Sequence, residues 1–413
     1  MTDESPLAGT LQRMSSRHAF DAHRRLLGHA LADALRESRA TTLARVVDAS
    51  DAAWRVPRQH GINPVAWELG HLAWFAEFWI LRGPHALGDD GLVVAARPPR
   101  IAGPDAVFDS ARLAHARRWD TALPSRDALL ATLREQLDAC IEAIPATDDD
   151  FAHDLHRLAL FHEDMHGEAL LWLRSALAWP APVGLGAMPA SPGGDPLRID
   201  GGLVQIGRRD DVAGFSFDNE QPVRTIRIAP FEIDACPVTA GRFLRFVEAG
   251  GYDEPDYWPG AAGAWRAGMG RPHPARWHRL EHGGWETRWF DHWAALDLDA
   301  PAIHVNAWEA EAYCRWAKRR LPTTAEWETA AAEPRFFWGA SVWEWTACAF
   351  EPYAGFRAGP YRDYSQPWFG DHRELRGGSF ATHARMHHPS YRNFFTPERN
   401  DVFAGFRTAS TPS

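Results

Sequence analysis

Apolar residues recur every three or four positions along the first 180 residues, which is the spacing of amphipathic helices. This spacing, with few internal glycines, covers four segments: 18–50, 64–82, 125–144 and 151–178. Thr147, Asp148 and Asp149 precede the last segment and suit a helix N-terminus. The pattern predicts an antiparallel four-helix bundle in which one long connection, roughly 83–124, is an irregular loop.

Proline and glycine interrupt this pattern between Trp179 and Gly194, and the chain that follows has the pattern of a loop-rich α+β domain. We expect strands there at Leu203–Ile206 and Val223–Ile228, and helices near 239–249 and 306–319. Two long stretches, 252–300 and 349–374, are expected to be irregular. The predicted fold class is therefore α plus α+β. The predicted divisions are a helical domain at 1–180, a linker at 181–200 and the second domain at 201–413.

Composition and charge argue against several classes of function. The chain has 413 residues and a formal charge of −10, which argues against a nucleic-acid partner because phosphates require a basic face. It contains no apolar run of about 18 residues, so no membrane helix is predicted. Residues 1–10 lack the apolar core of a secretory signal, and a cytoplasmic location is expected. Four well-separated cysteines, Cys140, Cys236, Cys314 and Cys348, are expected to be free thiols.

Two histidines, His162 and His166, are four positions apart on the last predicted helix, so their imidazoles share one face. That face also carries the apolar residues Leu158, Met165 and Leu170, so the imidazoles are expected to point into the protein. Glu168 is roughly 200° around the helix from His166, which favours a supporting role over metal ligation.

A third ligand would have to come from another helix. His71 has Trp67 and Phe75 one turn away on either side and projects from the same kind of apolar stripe. Three inward imidazoles leave coordination positions open, as a catalytic metal site requires. Spacing alone fits zinc as well as iron, and among 20 histidines such a pair also arises by chance. The other candidates, expected on the surface, are His18, His23, His29, His153 and His156.

Longer motifs in both halves of the chain resemble one family. In the first half these are residues 63–75, Asn-Pro-Val-Ala-Trp-Glu-Leu-Gly-His-Leu-Ala-Trp-Phe, and the pattern His162-x3-His166-x-Glu168. They resemble the DinB-like bundle of the ergothioneine-synthase (sulfoxide synthase) and selenoneine-synthase family. The second half carries the marks of a formylglycine-generating-enzyme fold (sulfatase-modifying, C-type-lectin-like), in residues 217–220, 237–239, 320–328, 342–346, 375–380 and 391–395.

The resemblance implies a non-haem Fe(II) enzyme that uses O2 to join a sulfur or selenium donor to the imidazole of hercynine (trimethylhistidine). By carry-over, His71, His162 and His166 match the family's iron ligands. Three neutral imidazoles would leave positions free for O2, the chalcogen and the substrate imidazole. The second domain is expected to complete the substrate pocket.

The resemblance also suggests substrate-binding residues. Aromatic faces can hold the permanent cation of hercynine, and Phe394 and Phe395 beside Asn393 are the leading candidates, although they could equally be core residues. Phe395 stands where relatives that use γ-glutamylcysteine have an Asp, while Arg399 is retained and could hold an anionic or polar donor. The loop 108–119, which contains the further candidate Arg118, is closer to the branch whose donor is a selenosugar.

The family's catalytic tyrosine is less easily assigned. Tyr353, Tyr361 and Tyr364 lie in the appropriate loop, but the corresponding position could instead be Phe356, which would mean chemistry without that tyrosine. We favour selenosugar as the donor and keep cysteine or γ-glutamylcysteine as the alternative.

Two other classes of function fit the sequence less well. A copper-dependent formylglycine-generating oxidase needs a pair of cysteines in the C-terminal region, but no cysteine follows Cys348 and the stretch after Ser379 has His383, His387 and His388. A non-catalytic binding module without a metal would have little reason to retain all three inward histidines.

Overall fold

Helices dominate the first part of the chain in the computed structural model, which describes residues 20–59, 61–186 and 188–411. Numbered in chain order, these helices are α1 (Gly28–Ala44), α2 (Val65–Ala76), α3 (Asp105–Phe108), α4 (Arg126–Glu142) and α5 (Asp154–Ala176). The long helices α1 and α2 both pack against α4 and α5, which closes a four-helix bundle around a shared apolar core. The predicted bundle is confirmed.

The boundaries of the helices differ from the periodic pattern. Segment 18–50 is interrupted at residues 25–27, and its long helix α1 runs only from Gly28 to Ala44. Gly28 has a φ of 47°, outside the range of a right-handed helix, so the backbone breaks although the apolar spacing continues. Directly after α2 the chain continues as a π-helical stretch, Glu77–Leu81.

The connection 83–124 is more ordered than the expected irregular loop. Strands β1 (His85–Leu87) and β2 (Val93–Ala95) form an antiparallel hairpin, and α3 and a 3-10 helix at His115–Trp119 follow. These elements have three to five residues each, too few to produce a readable period.

The second part of the chain is built from short strands in four sheets. In chain order they are β3 (Leu197–Ile199), β4 (Gly202–Ile206), β5 (Arg224–Ile228), β6 (Phe231–Ile233), β7 (Trp277–Arg279), β8 (Trp285–Trp289), β9 (His292–Ala295), β10 (Trp343–Ala349), β11 (Arg373–Arg376), β12 (Asn393–Phe395), β13 (Ala404–Gly405) and β14 (Ala409–Ser410). The sheet orders are β12-β11-β10-β13, β14-β6-β3, β4-β5 and β7-β8-β9. The predicted pair of strands is confirmed as β4 and β5, with Val204 opposite Ile226.

Four helices accompany these sheets: α6 (Ala240–Glu248), α7 (Ala261–Gly268), α8 (Ala307–Trp316) and α9 (Thr324–Ala330). The predicted helices near 239–249 and 306–319 correspond to α6 and α8, which begin at the capping side chains of Thr239 and Asn306. The stretch 252–300, expected to be irregular, instead contains α7 and the β7-β8-β9 sheet. Tryptophans and glycines in this stretch obscure the alternation of apolar and polar residues that would have predicted its strands.

Many of the motif residues in this part make buried ion pairs. Glu344 accepts hydrogen bonds from Trp327 and pairs with Arg407, and Arg392 pairs with Glu374 at 2.8 Å. All these side chains are almost fully buried, so removing one partner would leave an uncompensated charge. The motifs therefore mark the internal framework of the domain.

The two parts of the chain share a polar joint beside α5. Glu168, which projects from α5, accepts hydrogen bonds from Trp343 at 2.9 Å and from Ser379 and Thr382 at 2.7 Å. This joint fixes the position of α5 against the second part of the chain. Among the described helices, none has the length and apolar character needed to cross a membrane.

Candidate metal centre

Three imidazoles from two helices converge on one point. His71 comes from α2 and His162 and His166 come from α5, and one ring nitrogen of each lies within 4.8 Å of the others. The Nε2 atoms of His71 and His162 are only 3.2 Å apart. The structure thus brings together all three histidines that the sequence singled out.

Hydrogen bonds on the outer edges of two rings set their orientation. Nδ1 of His71 donates to the carbonyl of Phe108 at 2.7 Å, and Nδ1 of His166 donates to Oε2 of Glu68 at 2.7 Å. A neutral imidazole that donates from Nδ1 has its lone pair on Nε2. Both Nε2 atoms are therefore available as ligands, a pattern typical of metal-binding histidines.

Aromatic rings fix the planes of the imidazoles. Trp67 stacks on His71 with centroids 4.8 Å apart and planes 10° apart, and Phe75 stacks on His162 at 3.5 Å and 3°. Gly70 is required here because a Cβ at this position would lie 2.1 Å from the ring of Phe108, whose carbonyl accepts from His71. The apolar stripe noted in the sequence is thus the wall that holds the rings.

Burial keeps the imidazoles of His71 and His162 uncharged. The pKa of His71 is lowered to about 3 by burial and by the charge of His166, and the pKa of His162 is lowered well below its usual value by the same causes. Although burial opposes it, the charge and hydrogen bond of His166 lower the pKa of Glu68 to about 2. The donor set is three imidazoles with a carboxylate behind one of them, which fits a divalent iron ion.

Glu168 and the remaining histidines lie outside this cluster. Glu168 is occupied by its three hydrogen bonds in the joint, in agreement with the supporting role expected for it. The expectation that His153 and His156 are on the surface is wrong, since both are buried and bond to backbone carbonyls. His23 and His29 are exposed as expected, and His18 lies outside the described residues.

The accessible member of the cluster is His166. Its side chain is 21% exposed, whereas His71 and His162 are only 2% exposed. Of the three imidazoles, that of His166 is therefore the one in contact with solvent.

The three candidate tyrosines lie at different distances from the histidines. Tyr361 is nearest, with its ring centroid 6.1 Å from that of His162 and its edge against Phe75. Tyr364 is the next residue out, 6.0 Å from Tyr361 between ring centroids. Tyr353 belongs to another cluster, where its ring lies 4.1 Å from the guanidinium of Arg392.

Hydroxyl groups connect Tyr364 to α5, the helix of His162 and His166. The hydroxyl of Tyr364 lies 3.1 Å from that of Tyr391, and Tyr391 donates to the sulfur of Met165 at 3.3 Å. Phe356, the other possibility raised by the sequence, packs edge-on against Phe369 instead.

The aromatic candidates on β12 divide between two neighbourhoods. Phe394 stacks on Phe350 at 4.1 Å and meets Tyr364 edge-on, which connects it to the tyrosine cluster. Phe395 meets Trp172 of α5 at 5.3 Å. The side chain of Asn393 accepts from the backbone N–H of Phe394 at 2.9 Å, so it stabilises the local backbone.

The two candidate arginines already have partners. Arg399 makes a two-point ion pair with Asp401, at 2.6 and 2.8 Å, and lies over the ring of Phe395. Arg118 donates to Oδ1 of Asn63 at 2.6 Å. Its buried Nε has no hydrogen-bond partner among the described residues.

Comparison with known proteins divides the chain at the same place as the fold. The DinB superfamily model matches residues 34–173, and the sulfatase-modifying factor enzyme 1-like domain matches residues 185–342 and 338–412. The hercynine oxygenase of Mycolicibacterium smegmatis is 32% identical over 438 residues, which cover 92% of this chain and 98% of that protein. The hercynine oxygenase of Mycobacterium tuberculosis is also 32% identical, with the same coverage.

The chain belongs to the hercynine oxygenase family. The family resemblance and the fold class inferred from the sequence are thereby confirmed, and the protein is an oxidoreductase. A formylglycine-generating enzyme of Streptomyces coelicolor is 28% identical but covers only 57% of this chain. The match to the sulfatase-modifying domain begins at residue 185, so it does not include the helices that carry the three histidines.

Several residues around the three histidines were not identified individually from the sequence. Glu68 accepts from His166 and is in turn bonded by Asn63, while Tyr391 contacts Met165 and Trp172 contacts Phe395. Glu68 precedes His71 by three positions, so a carboxylate one turn from a histidine was a usable signal. No spacing rule connects Tyr391 with Met165, because 226 positions separate them.

Proposed function

We propose that this protein is an O2-dependent Fe(II) enzyme that forms a C–Se or C–S bond at C2 of the hercynine imidazole. The observation that carries the proposal is the set of three convergent imidazoles in a chain of the hercynine oxygenase family, two of which are kept uncharged by burial. A helical domain at 1–180 would carry the metal, and the domain at 201–413, after a linker at 181–200, would complete the pocket. A cytoplasmic location is supported by four free cysteines.

His71, His162 and His166 would hold the iron through one nitrogen each. Bound Fe(II) would supply the redox chemistry with O2 and open positions for other ligands. The protein keeps the imidazoles of His71 and His162 neutral through burial, and it orients those of His71 and His166 through the outer hydrogen bonds to Phe108 and Glu68.

Hercynine would enter from the exposed side of His166. Its trimethylammonium group requires aromatic faces rather than a counter-charge, and Phe394 and Phe395 next to Asn393 are the proposed wall. The contact of Phe395 with Trp172, on the same helix as His166, supports this proposal. The unpartnered Nε of Arg118 is the donor proposed for a polar group of the substrate.

Tyr361 is the proposed proton-delivering group. Among the three candidate tyrosines it is nearest to His162, and burial raises the pKa of its hydroxyl above the usual value. The hydroxyl therefore stays protonated near neutral pH and can donate a proton. Tyr364, paired with Tyr391, would support the position of Tyr361, and Tyr353 lies in a different cluster.

The preferred donor is a selenosugar. Arg399 is the residue that could have held a carboxylate of the donor, but both its Nε and a terminal nitrogen are bound by Asp401. Phe395 adds a ring where an acid would have strengthened a charged clamp. An uncharged donor with hydroxyl groups suits these surroundings better than γ-glutamylcysteine or cysteine, which remain the alternative.

Donor choice can be tested directly. Enzyme reconstituted with Fe(II) under anaerobic conditions would receive hercynine, O2 and, in separate reactions, selenosugar, thiosugar, cysteine or γ-glutamylcysteine. Product masses should show the selenosugar adduct. A product from γ-glutamylcysteine alone would overturn the donor assignment while leaving the iron assignment intact.

Metal analysis tests the iron assignment. The purified or anaerobically reconstituted protein should retain about one iron per chain, and O2 consumption should require hercynine. Protein that retains no iron after reconstitution would contradict the proposed oxygenase.

A further inference from the structure

Arg118 makes two close contacts with residues next to the three histidines, one with Trp67 and one with Asn63. The carbon at the centre of its guanidinium lies 3.8 Å from the centroid of the Trp67 ring, and one terminal nitrogen donates to Oδ1 of Asn63 at 2.6 Å. Each contact is the first step of a separate path to a different histidine.

The first path passes through an aromatic stack. Arg118 covers Trp67, and Trp67 lies nearly parallel to the ring of His71. Nε1 of Trp67 donates to the carbonyl of Val107 at 2.8 Å, while His71 donates to the carbonyl of Phe108, the next residue. The two rings are thus held by consecutive carbonyl groups, and Arg118 closes the stack on the side away from His71.

The second path passes through a carboxylate. Asn63, which accepts from Arg118, donates from Nδ2 to Oε1 of Glu68 at 3.0 Å. The other oxygen of Glu68 accepts from Nδ1 of His166. The orientation of this carboxylate, and hence of the His166 ring, depends on Asn63 being held in place by Arg118.

We propose that Arg118 and Asn63 are positioning residues that jointly orient His71 and His166 for metal binding. The face of the guanidinium packs on Trp67, which stacks on His71, and its terminal nitrogen holds Asn63, which bonds the carboxylate behind His166. A single side chain therefore supports the orientation of both rings. This inference rests on the proposed function, because it requires that a metal binds at the three histidines.

The chemistry of the guanidinium group explains the residue type. Unlike lysine, arginine offers a planar cationic face for stacking together with donors in the plane of that face. Lysine would keep the positive charge but not the stack on Trp67. Arg118→Lys should therefore behave more like Arg118→Met than like wild type, which a purely electrostatic role would not produce.

The experiment measures metal binding without substrate. Dissociation constants for Co(II) would be determined anaerobically by competition with a chelator, together with the visible absorption of the bound Co(II). Arg118→Met and Asn63→Ala should weaken binding about 10- to 100-fold and alter the absorption bands, because the supports of metal-bound histidines typically have this effect.

Arg126 provides a matched control on the same bundle. Its guanidinium lies 4.8 Å from the ring of Trp54 and donates to the carbonyls of Val47 and Ala49. Arg126→Met removes a similar stack with no connection to Asn63 or Trp67. It should lower thermal stability to a similar extent while keeping wild-type affinity and wild-type absorption.

The outcomes separate the two proposals. Wild-type Co(II) affinity and absorption in Arg118→Met, or equal losses in Arg118→Met and Arg126→Met, would overturn the positioning role alone. Failure of the wild-type protein to bind Co(II) or Fe(II) would overturn the proposed function as well. Weak binding confined to the Arg118 and Asn63 variants supports the inference.

Discussion

The chemistry of the site depends on which nitrogen of each imidazole points inward. For His71 and His166 that choice is made by acceptors behind the rings, the carbonyl of Phe108 and the carboxylate of Glu68. Neither acceptor touches the point where the three rings converge. The outer hydrogen bonds of His71 and His166 therefore leave the inward Nε2 atoms available for the proposed metal.

Replacing a ligand should remove the metal without unfolding the protein. His162→Ala and His166→Ala should each retain less than about a tenth of the wild-type iron, because three imidazoles are few ligands for an open site. His156→Ala is the control, since His156 lies on the same helix but donates from Nε2 to the carbonyl of Cys140 at 3.1 Å. Iron content by mass spectrometry and thermal melts provide the measurements; wild-type iron in either ligand variant would contradict the assignment.

Loss of the Tyr361 hydroxyl should slow turnover without releasing metal. Tyr361→Phe is expected to lower kcat about 100-fold with little change in iron content, because a positioned proton donor contributes roughly that factor. Tyr353→Phe is a suitable control, since the hydroxyl of Tyr353 is buried without a partner among the described residues. Steady-state kinetics on both variants decides the matter, and equal rates for Tyr361→Phe and wild type would exclude this role.

At the scale of elements, helix α8 combines a capping motif with a pH-dependent group. Asn306 accepts from the N–H of Glu309, and Glu309 accepts in return from the N–H of Asn306 and from the hydroxyl of Tyr252. Burial raises the pKa of Glu309 to about 7 even though these hydrogen bonds oppose the change. The folded protein therefore binds a proton at this residue that the unfolded chain releases near its ordinary pKa of about 4.5.

This difference gives a signed prediction for stability. Between about pH 4.5 and pH 7 the folded state binds more protons at Glu309 than the unfolded state does, so its contribution to stability is lost as pH rises. Glu309→Gln should flatten the dependence, by up to about 3 kcal/mol across this window. Urea unfolding at pH 5 and pH 7.5 measures the effect, with the exposed Glu135→Gln as control. A Glu309→Gln profile parallel to wild type would contradict it.

The long helices were predictable because a period of 3.6 residues persists over many turns. The segments 125–144 and 151–178 contain α4 and α5 within a few residues of the predicted ends. The β1–β2 hairpin and the β7-β8-β9 sheet were missed, since four of their five strands have only three or four residues. Such strands depend on their pairing partners more than on local sequence.

At the scale of the whole molecule, buried charges join the helical part to the second part. Arg24 precedes α1 and forms an ion pair with Glu220 at 2.8 Å, with side chains only 2% and 0% exposed. Ser390 donates to the same carboxylate. The pair is 196 positions apart in sequence and links the two parts close to their shared core.

Breaking this pair should destabilise the protein far more than breaking an exposed one. Glu220→Gln leaves the guanidinium of Arg24 buried without a counter-charge and should cost about 3–5 kcal/mol. Asp33→Asn breaks the exposed pair with Arg36 and should change stability by less than about 0.5 kcal/mol. Denaturant unfolding compares the two; similar effects would show that the buried pair is not needed to hold the parts together.

The sequence by itself determined the bundle, the family and the three inward histidines. Each of these depends on local periodicity or on contiguous motifs, which are visible along the chain. Only the tertiary structure decided that His166 is the exposed histidine of the three, that Tyr361 is nearer than Tyr353, and that Arg118 contacts Trp67 and Asn63. Those relations join residues from distant segments, and their distances are fixed by packing.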